Sequence, residues 1–136
     1  MRDLRLFALS ALLLVSSAVV STPAAAIDLT GVWATDAGLC TKIFIKKDGQ
    51  LAVAEMSDLY GGGFIFETDR IWGKAARCTI KSRNEDAAML SIQAACATDI
   101  MTSNEQFSLK VNNDNSISRV FPGMPGMEVT YYRCQL

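Results

Sequence analysis

From Gly31 onward, apolar and polar residues alternate in short runs separated by turn formers, the period-two pattern of half-buried strands. Val32 and Ala34 alternate with Trp33 and Thr35. Thr41 to Lys47 reads Thr-Lys-Ile-Phe-Ile-Lys-Lys, and Gln50 to Glu55 reads Gln-Leu-Ala-Val-Ala-Glu. Asp48-Gly49 between those two runs predicts a hairpin with a type I′ turn, because both central residues need positive φ and this pair adopts it cheaply. The hairpin is expected to set Ile43 and Ile45 on one face with Leu51 and Val53, leaving Lys42 and Lys46 in solvent.

Ser57 to Gly63 reads as a flexible loop with three consecutive glycines. Phe64–Glu67 and Arg70–Gly73 read as strands around Thr68-Asp69, and Arg77–Ser82 as a strand with Cys78 and Ile80 inward. Asn84-Glu85-Asp86 reads as a turn. The run from Ala87 to Ala97 fits two periods. Leu90, Ile92, Ala94 and Cys96 would share a strand face, whereas its alanines and the spacing of Met89, Ile92 and Cys96 suit a helix. Strand is preferred for so short a run. Thr98–Asn104 is a loop and Gln106–Val111 a strand stopped by Asn112-Asn113-Asp114-Asn115. Ile117–Phe121 is another strand, followed by the stiff loop Pro122–Gly126. Met127–Cys134 closes the series, with Tyr131 and Tyr132 on opposite faces. About eight to ten strands at roughly 8–12-residue spacing, with no helix long enough for a parallel crossover, predict an all-β fold: a small antiparallel barrel or sandwich. A closed barrel would leave no sheet edge exposed.

Ahead of this domain lies a segment of different character. Arg2 and Arg5 flank Asp3, an apolar run interrupted by serines extends from Leu6 to Val20, and Ala24 and Ala26 fit the small-x-small pattern read by a signal peptidase. The run is shorter than the ~20 residues of a comfortable bilayer span. Residues 1–26 are therefore expected to be a cleaved signal peptide, and 27–136 a single domain of about 110 residues, enough for one core.

An exported chain with four cysteines, Cys40, Cys78, Cys96 and Cys134, implies two disulfides and allows three pairings. Loop-closure entropy does not choose. Cys40–Cys134 with Cys78–Cys96 gives about 4.7 and 3.2 kcal/mol, and Cys40–Cys78 with Cys96–Cys134 gives about 3.9 twice. The first arrangement is favoured because it ties the first strands to the last. No Cys-x-x-Cys occurs, and histidine is absent, which removes the commonest metal ligand and the base of Ser-His and Cys-His enzymes. No cofactor is expected. Once the leader's charges are set aside, 11 basic and 13 acidic residues remain without a run of either sign. That argues against nucleic acid or an anionic membrane surface as partner.

Reactive groups are scarce. Gly61-Gly62-Gly63 leads into strand rather than the helix that a phosphate loop requires. Glu67, Asp69, Glu85 and Asp86 sit at expected turns, where acidic residues are ordinary, and no enzyme is inferred from them. Two stretches suit contact with a partner: Tyr60, Gly62 and Phe64 around the glycines, and Phe121, Met124 and Met127 around two prolines. Methionine adapts to varied apolar surfaces, and proline lowers the cost of ordering a loop. The simpler role for Phe121 and Met127 is to finish strands and plug a barrel end.

Gly31-Val32-Trp33 resembles the Gly-x-Trp that opens lipocalins and related calycin barrels, in which the tryptophan packs across the closed end. The same residues, followed by Cys40, are similar to the start of the small bacterial metalloprotease inhibitors. As a whole the chain resembles small exported proteins of alphaproteobacteria through Trp33-Ala34-Thr35-Asp36, Phe121-Pro122-Gly123-Met124 and Tyr131-Tyr132-Arg133-Cys134. The resemblance implies an envelope address and no activity; with the leader cleaved, a periplasmic or secreted protein without stable membrane insertion is expected. Two roles follow as expectations: a loop-acting inhibitor of a protease or lysozyme, or a carrier of a small apolar ligand.

Overall fold

Eight antiparallel strands close on themselves, and a separate two-stranded hairpin lies against the outside of the ring they form. The computed structural model describes residues 18–21 and 25–136, so most of the expected signal peptide, including Ala24 of its cleavage motif, lies outside the described residues. The strands are β1 (Gly31–Ala34), β2 (Phe44–Lys47), β3 (Gln50–Val53), β4 (Gly63–Phe66), β5 (Arg70–Trp72), β6 (Arg77–Asp86), β7 (Met89–Ala97), β8 (Thr102–Asn113), β9 (Ser116–Val120) and β10 (Glu128–Arg133). The barrel order is β1-β10-β9-β8-β7-β6-β5-β4, closing back to β1, and β2–β3 stands apart. The all-β barrel expected from the alternation is what forms.

Because every neighbouring pair is antiparallel, the connections sort into two ends. The base receives residues 27–30, the β4–β5, β6–β7 and β8–β9 turns, and the end of β10. The rim carries the exit of β1, the approach to β4, and the β5–β6, β7–β8 and β9–β10 connections.

Alternation sends one set of side chains into the barrel and the other outward. The inner set, Trp33, Phe66, Ile71, Leu90, Ile92, Ala94, Leu109 and Ile117, joins Leu29 in one core. A second core lies outside the wall: Val32, Ala34 and Ile65 pack against Cys40, Ile43 and Phe44. The outer element is thus attached by burial of its own apolar face.

Trp33 closes the base. Its indole nitrogen donates to the Leu29 carbonyl at 2.9 Å, and the Arg133 guanidinium lies over its ring, 4.3 Å from the centre. Arg133 also donates to the carbonyls of Thr30, Asp28 and Asp114 at 2.7, 3.2 and 3.0 Å, tying three base segments together. The Asp28 carboxylate accepts from the Thr30 backbone N–H at 2.8 Å, which holds its pKa below the ordinary 3.8, with Arg133 and Arg83 adding a smaller pull in the same direction.

The thiols pair as Cys40–Cys134 and Cys78–Cys96, the arrangement favoured from sequence. Cys78 and Cys96 face each other across β6 and β7. Cys40–Cys134 links the outer element to the end of β10.

Four local expectations need correction. Thr41–Ile43 is not strand: Cys40–Ile43 forms one helical turn, α1, entered through a 3-10 turn at Ala37–Leu39 that the Asp36 side chain caps by accepting from Gly38 N–H at 2.8 Å. The chain leaves β1 at the rim and must double back along the outer wall, and helical turns make that reversal. The hairpin faces differ from expectation by one residue, because the two-residue turn at Asp48-Gly49 itself sets the register. Asp48 and Gly49 do have positive φ, 52° and 77°, but Phe44 opposes Val53 and Lys46 opposes Leu51. Phe44, not Ile45, is therefore buried. Asn84–Asp86 is strand rather than turn, paired out to Asp86↔Met89, so the chain reverses at Ala87-Ala88. Strand β8 begins at Thr102, inside the expected loop, because its first residues pair with the end of β7.

Candidate functional site

The glycine run is not a free loop. Ser57–Leu59 forms a 3-10 turn, Gly62 N–H donates to the Thr35 hydroxyl at 3.1 Å, and its carbonyl accepts from Thr35 N–H at 2.9 Å. At Gly63 a Cβ would come within 2.6 Å of the Phe44 ring and 2.7 Å of the Trp33 carbonyl. Glycine is required here so that barrel and outer element can meet.

This anchoring divides the expected contact residues. Tyr60 stays at the surface with the Lys42 ammonium 5.8 Å from its ring centre, and Gly62 is exposed. Phe64 instead points into the barrel, where its ring meets that of Tyr131 edge-on with centres 4.9 Å apart. Phe121 is half-buried at the rim, with Arg119 over its ring at 5.0 Å and over that of Phe107 at 4.8 Å. Met124 and Met127 are each about half exposed, at 51% and 52%. Their loop is two consecutive turns, Met124 N–H bonding to the Phe121 carbonyl at 3.0 Å and Met127 N–H to that of Met124 at 3.1 Å. Gly123 and Gly126 supply the positive φ those turns need.

Topology brings the two stretches to the same end of the barrel and adds a third that sequence reading passed over. The β7–β8 connection carries Ile100, 92% exposed, and Met101. With Met56, Leu59, Tyr60, Met124 and Met127, these are seven large exposed apolar side chains on rim connections. Alternation could not flag Ile100 and Met101, since neither lies in a regular run. Only the strand order shows which loops share an end. The connections at the base carry Asp28, Glu67, Asp69, Asp114 and Asn115, beside the exposed Met89 of the β6–β7 hairpin.

The rim also carries polar groups, among them an ion pair between Asp58 and Lys74 across two of its connections. Arg119 and Glu105 face inward there by register, with Glu105 accepting from the Ser103 hydroxyl at 2.9 Å. Burial raises the pKa of Tyr131 above the ordinary 10.0, and the Arg119 charge opposes that rise. Among the described residues no group of three or more cysteine, aspartate or glutamate side chains could hold a metal ion. Clefts of about 720 and 410 Å³ lie on the outer flank and at the base, not within the barrel.

What the geometry defines is a closed eight-stranded barrel with a disulfide-tied outer hairpin and an apolar rim. Compared with models of known families, with curated proteins and with solved structures, the chain matches none. Among the described residues, no helix is long and apolar enough to cross a membrane.

Proposed function

We propose that this is an exported binding protein that engages an envelope hydrolase, a protease or a lysozyme, through the loops of its rim. The observation that carries the reading is the gathering of Leu59, Tyr60, Ile100, Met101, Met124 and Met127 on connections at one end of the barrel. Large apolar side chains held in water at one end of a small protein suit contact with a partner. The rim is also pre-ordered. The Cys78–Cys96 disulfide beside the β5–β6 and β7–β8 connections, the Thr35–Gly62 bonds and the paired turns of the Phe121–Met127 loop fix its shape before any partner arrives, which limits the entropy lost on binding.

Oxidised cysteines and a leader of signal-peptide type support a periplasmic or secreted address. A carrier of calycin type is the weaker reading. It needs an interior pocket of roughly 300–1,000 Å³, and the interior here is occupied by Trp33, Phe66, Leu90, Ile92 and Ile117.

The test is an inhibition panel of lysozymes and envelope serine and metalloproteases with stoichiometric purified protein. At least one enzyme should be inhibited, and Met124→Asp with Met127→Asp should abolish the effect. Met89→Asp, exposed on the β6–β7 hairpin near the base, should leave it intact. A panel untouched by the wild-type protein overturns the reading.

A further inference from the structure

The hairpin β2–β3 does not join the barrel, and among the described residues no other strand pairs with its edges. Lys47 and Gln50 flank the two-residue turn and exchange hydrogen bonds, as do Ile45 and Ala52. Leu51 and Val53 therefore turn their N–H and C=O groups away from β2, toward a free edge. Such an edge is a template for another strand unless something covers it.

The edge of β3 borders the cleft of about 720 Å³ that separates the hairpin from the barrel wall. Leu51, Ile65 and Trp72 supply its apolar lining, while Lys47, Arg70 and Arg77 bring cations to it. Its two carboxylates are Asp48, at the hairpin turn, and Glu67, which is already engaged: it pairs with Arg70 at 2.6 Å and accepts from the Trp72 indole at 3.3 Å. Arg77 lies over the Trp72 ring, 5.4 Å from the centre. Neither Arg77 nor Lys47 forms an ion pair among the described residues. A chain with one more acidic than basic residue thus keeps available positive charge beside an unsatisfied strand edge.

We propose that an extended, acidic segment of a partner protein adds to β3 as a third strand, its backbone bonding to Leu51 and Val53 and its carboxylates meeting Arg77 and Lys47. Strand addition supplies affinity through main-chain hydrogen bonds, and side chains on alternate positions supply selectivity. Charge complementarity names the occupant. A basic or neutral strand would satisfy the edge but leave Arg77 and Lys47 without counter-charge. The surface lies on the flank, apart from the rim, so it stands or fails independently of the rim reading.

Fluorescence anisotropy with a labelled Thr-Glu-Val-Glu-Val-Glu-Thr peptide and the purified protein tests this. Saturable binding is expected. It should weaken at least tenfold when the glutamates become glutamine, when alternate backbone nitrogens of the peptide are methylated, and in the Lys47→Gln, Arg77→Gln double variant. Both substituted side chains are exposed, and an unchanged melting curve confirms that the variant is folded. Met124→Asp at the rim should bind the peptide as the wild type does. The proposal is overturned if the parent peptide fails to saturate. It is equally overturned if the methylated peptide binds as well as the parent, which would leave charge alone, or if sedimentation shows a second copy of the protein occupying the edge.

Discussion

The main-chain nitrogen of Ile27 lies 3.2 and 3.3 Å from the two carboxylate oxygens of Glu85, and Arg83 donates both to Glu85 and to the Ile27 carbonyl. Processing after Ala26, expected from the leader, converts that amide into an ammonium group already held against a carboxylate. The processed protein should therefore be more stable than a form carrying one extra N-terminal residue, by about 0.2–1 kcal/mol for a partly exposed pair. Glu85→Gln should erase most of the difference, and high salt should shrink it. Urea midpoints for the four proteins measure this. Identical midpoints for processed and extended forms would show that the pair contributes nothing.

Trp33 and Arg133 make the base a second point of control. Trp33 is fully buried, so Trp33→Ala should cost about 3–5 kcal/mol. Trp33→Phe retains most of the volume but leaves the Leu29 carbonyl without its donor, a loss of about 1–3 kcal/mol. Arg133→Met keeps much of the stem over the ring while freeing three carbonyls, and should fall between the two. Guanidinium denaturation ranks them. A Trp33→Ala protein as stable as the wild type would mean that the base is not closed by this residue.

The two disulfides should differ in weight. Cys40–Cys134 spans 94 residues and Cys78–Cys96 spans 18, so chain entropy assigns them about 4.7 and about 3.2 kcal/mol. Replacing the first pair by serine should also release α1 and the β2–β3 hairpin from the wall, because Cys40 belongs to the outer core. Hydrogen exchange should then rise at Phe44–Val53 while β7 and β8 remain protected. Loss of Cys78–Cys96 should loosen β6 and β7 instead. Uniform exchange after either change would mean that barrel and outer element unfold as one unit.

Most of the barrel was legible because most of its strands bury one face. Leu90, Ile92, Ala94 and Cys96 alternate without interruption, and their alanines, good helix formers in isolation, gave way to pairing on both sides of β7. Asp48-Gly49 fixed the hairpin turn by the same local chemistry in sequence and in structure. Legibility failed where tertiary demands outweigh pattern. Thr41–Lys47 reads as one strand-like run, but Cys40–Ile43 must turn back along the wall, and Asn84–Asp86 reads as a turn because all three residues are polar turn formers, although β7 still pairs with them. Gly61–Gly63 looked mobile because the close approach of Phe44 and Thr35 comes from other parts of the chain. The rim suffered most. Tyr60, Met124 and Met127 could be chosen by composition, but Phe64 turned inward, and the partnership with Ile100 and Met101 exists only once the strand order is known.

Tyr131 gives the alkaline prediction. Its ring lies among inward-facing residues against Phe64, and burial raises its pKa above 10.0 although Arg119 pulls the other way. The unfolded chain thus loses this proton first as pH climbs. The contribution to stability is complete below pH 10.0 and is lost as pH rises through the higher folded value. Absorbance at 295 nm should show a late tyrosine ionisation above pH 10.0, and Tyr131→Phe should remove that late phase along with part of the alkaline loss of stability. Arg119→Gln should push the late phase later still, because it removes the charge that favours the phenolate. A late phase that moves earlier in that variant would show that Arg119 acts on the tyrosine through packing with Phe107 and Phe121, and not through its charge.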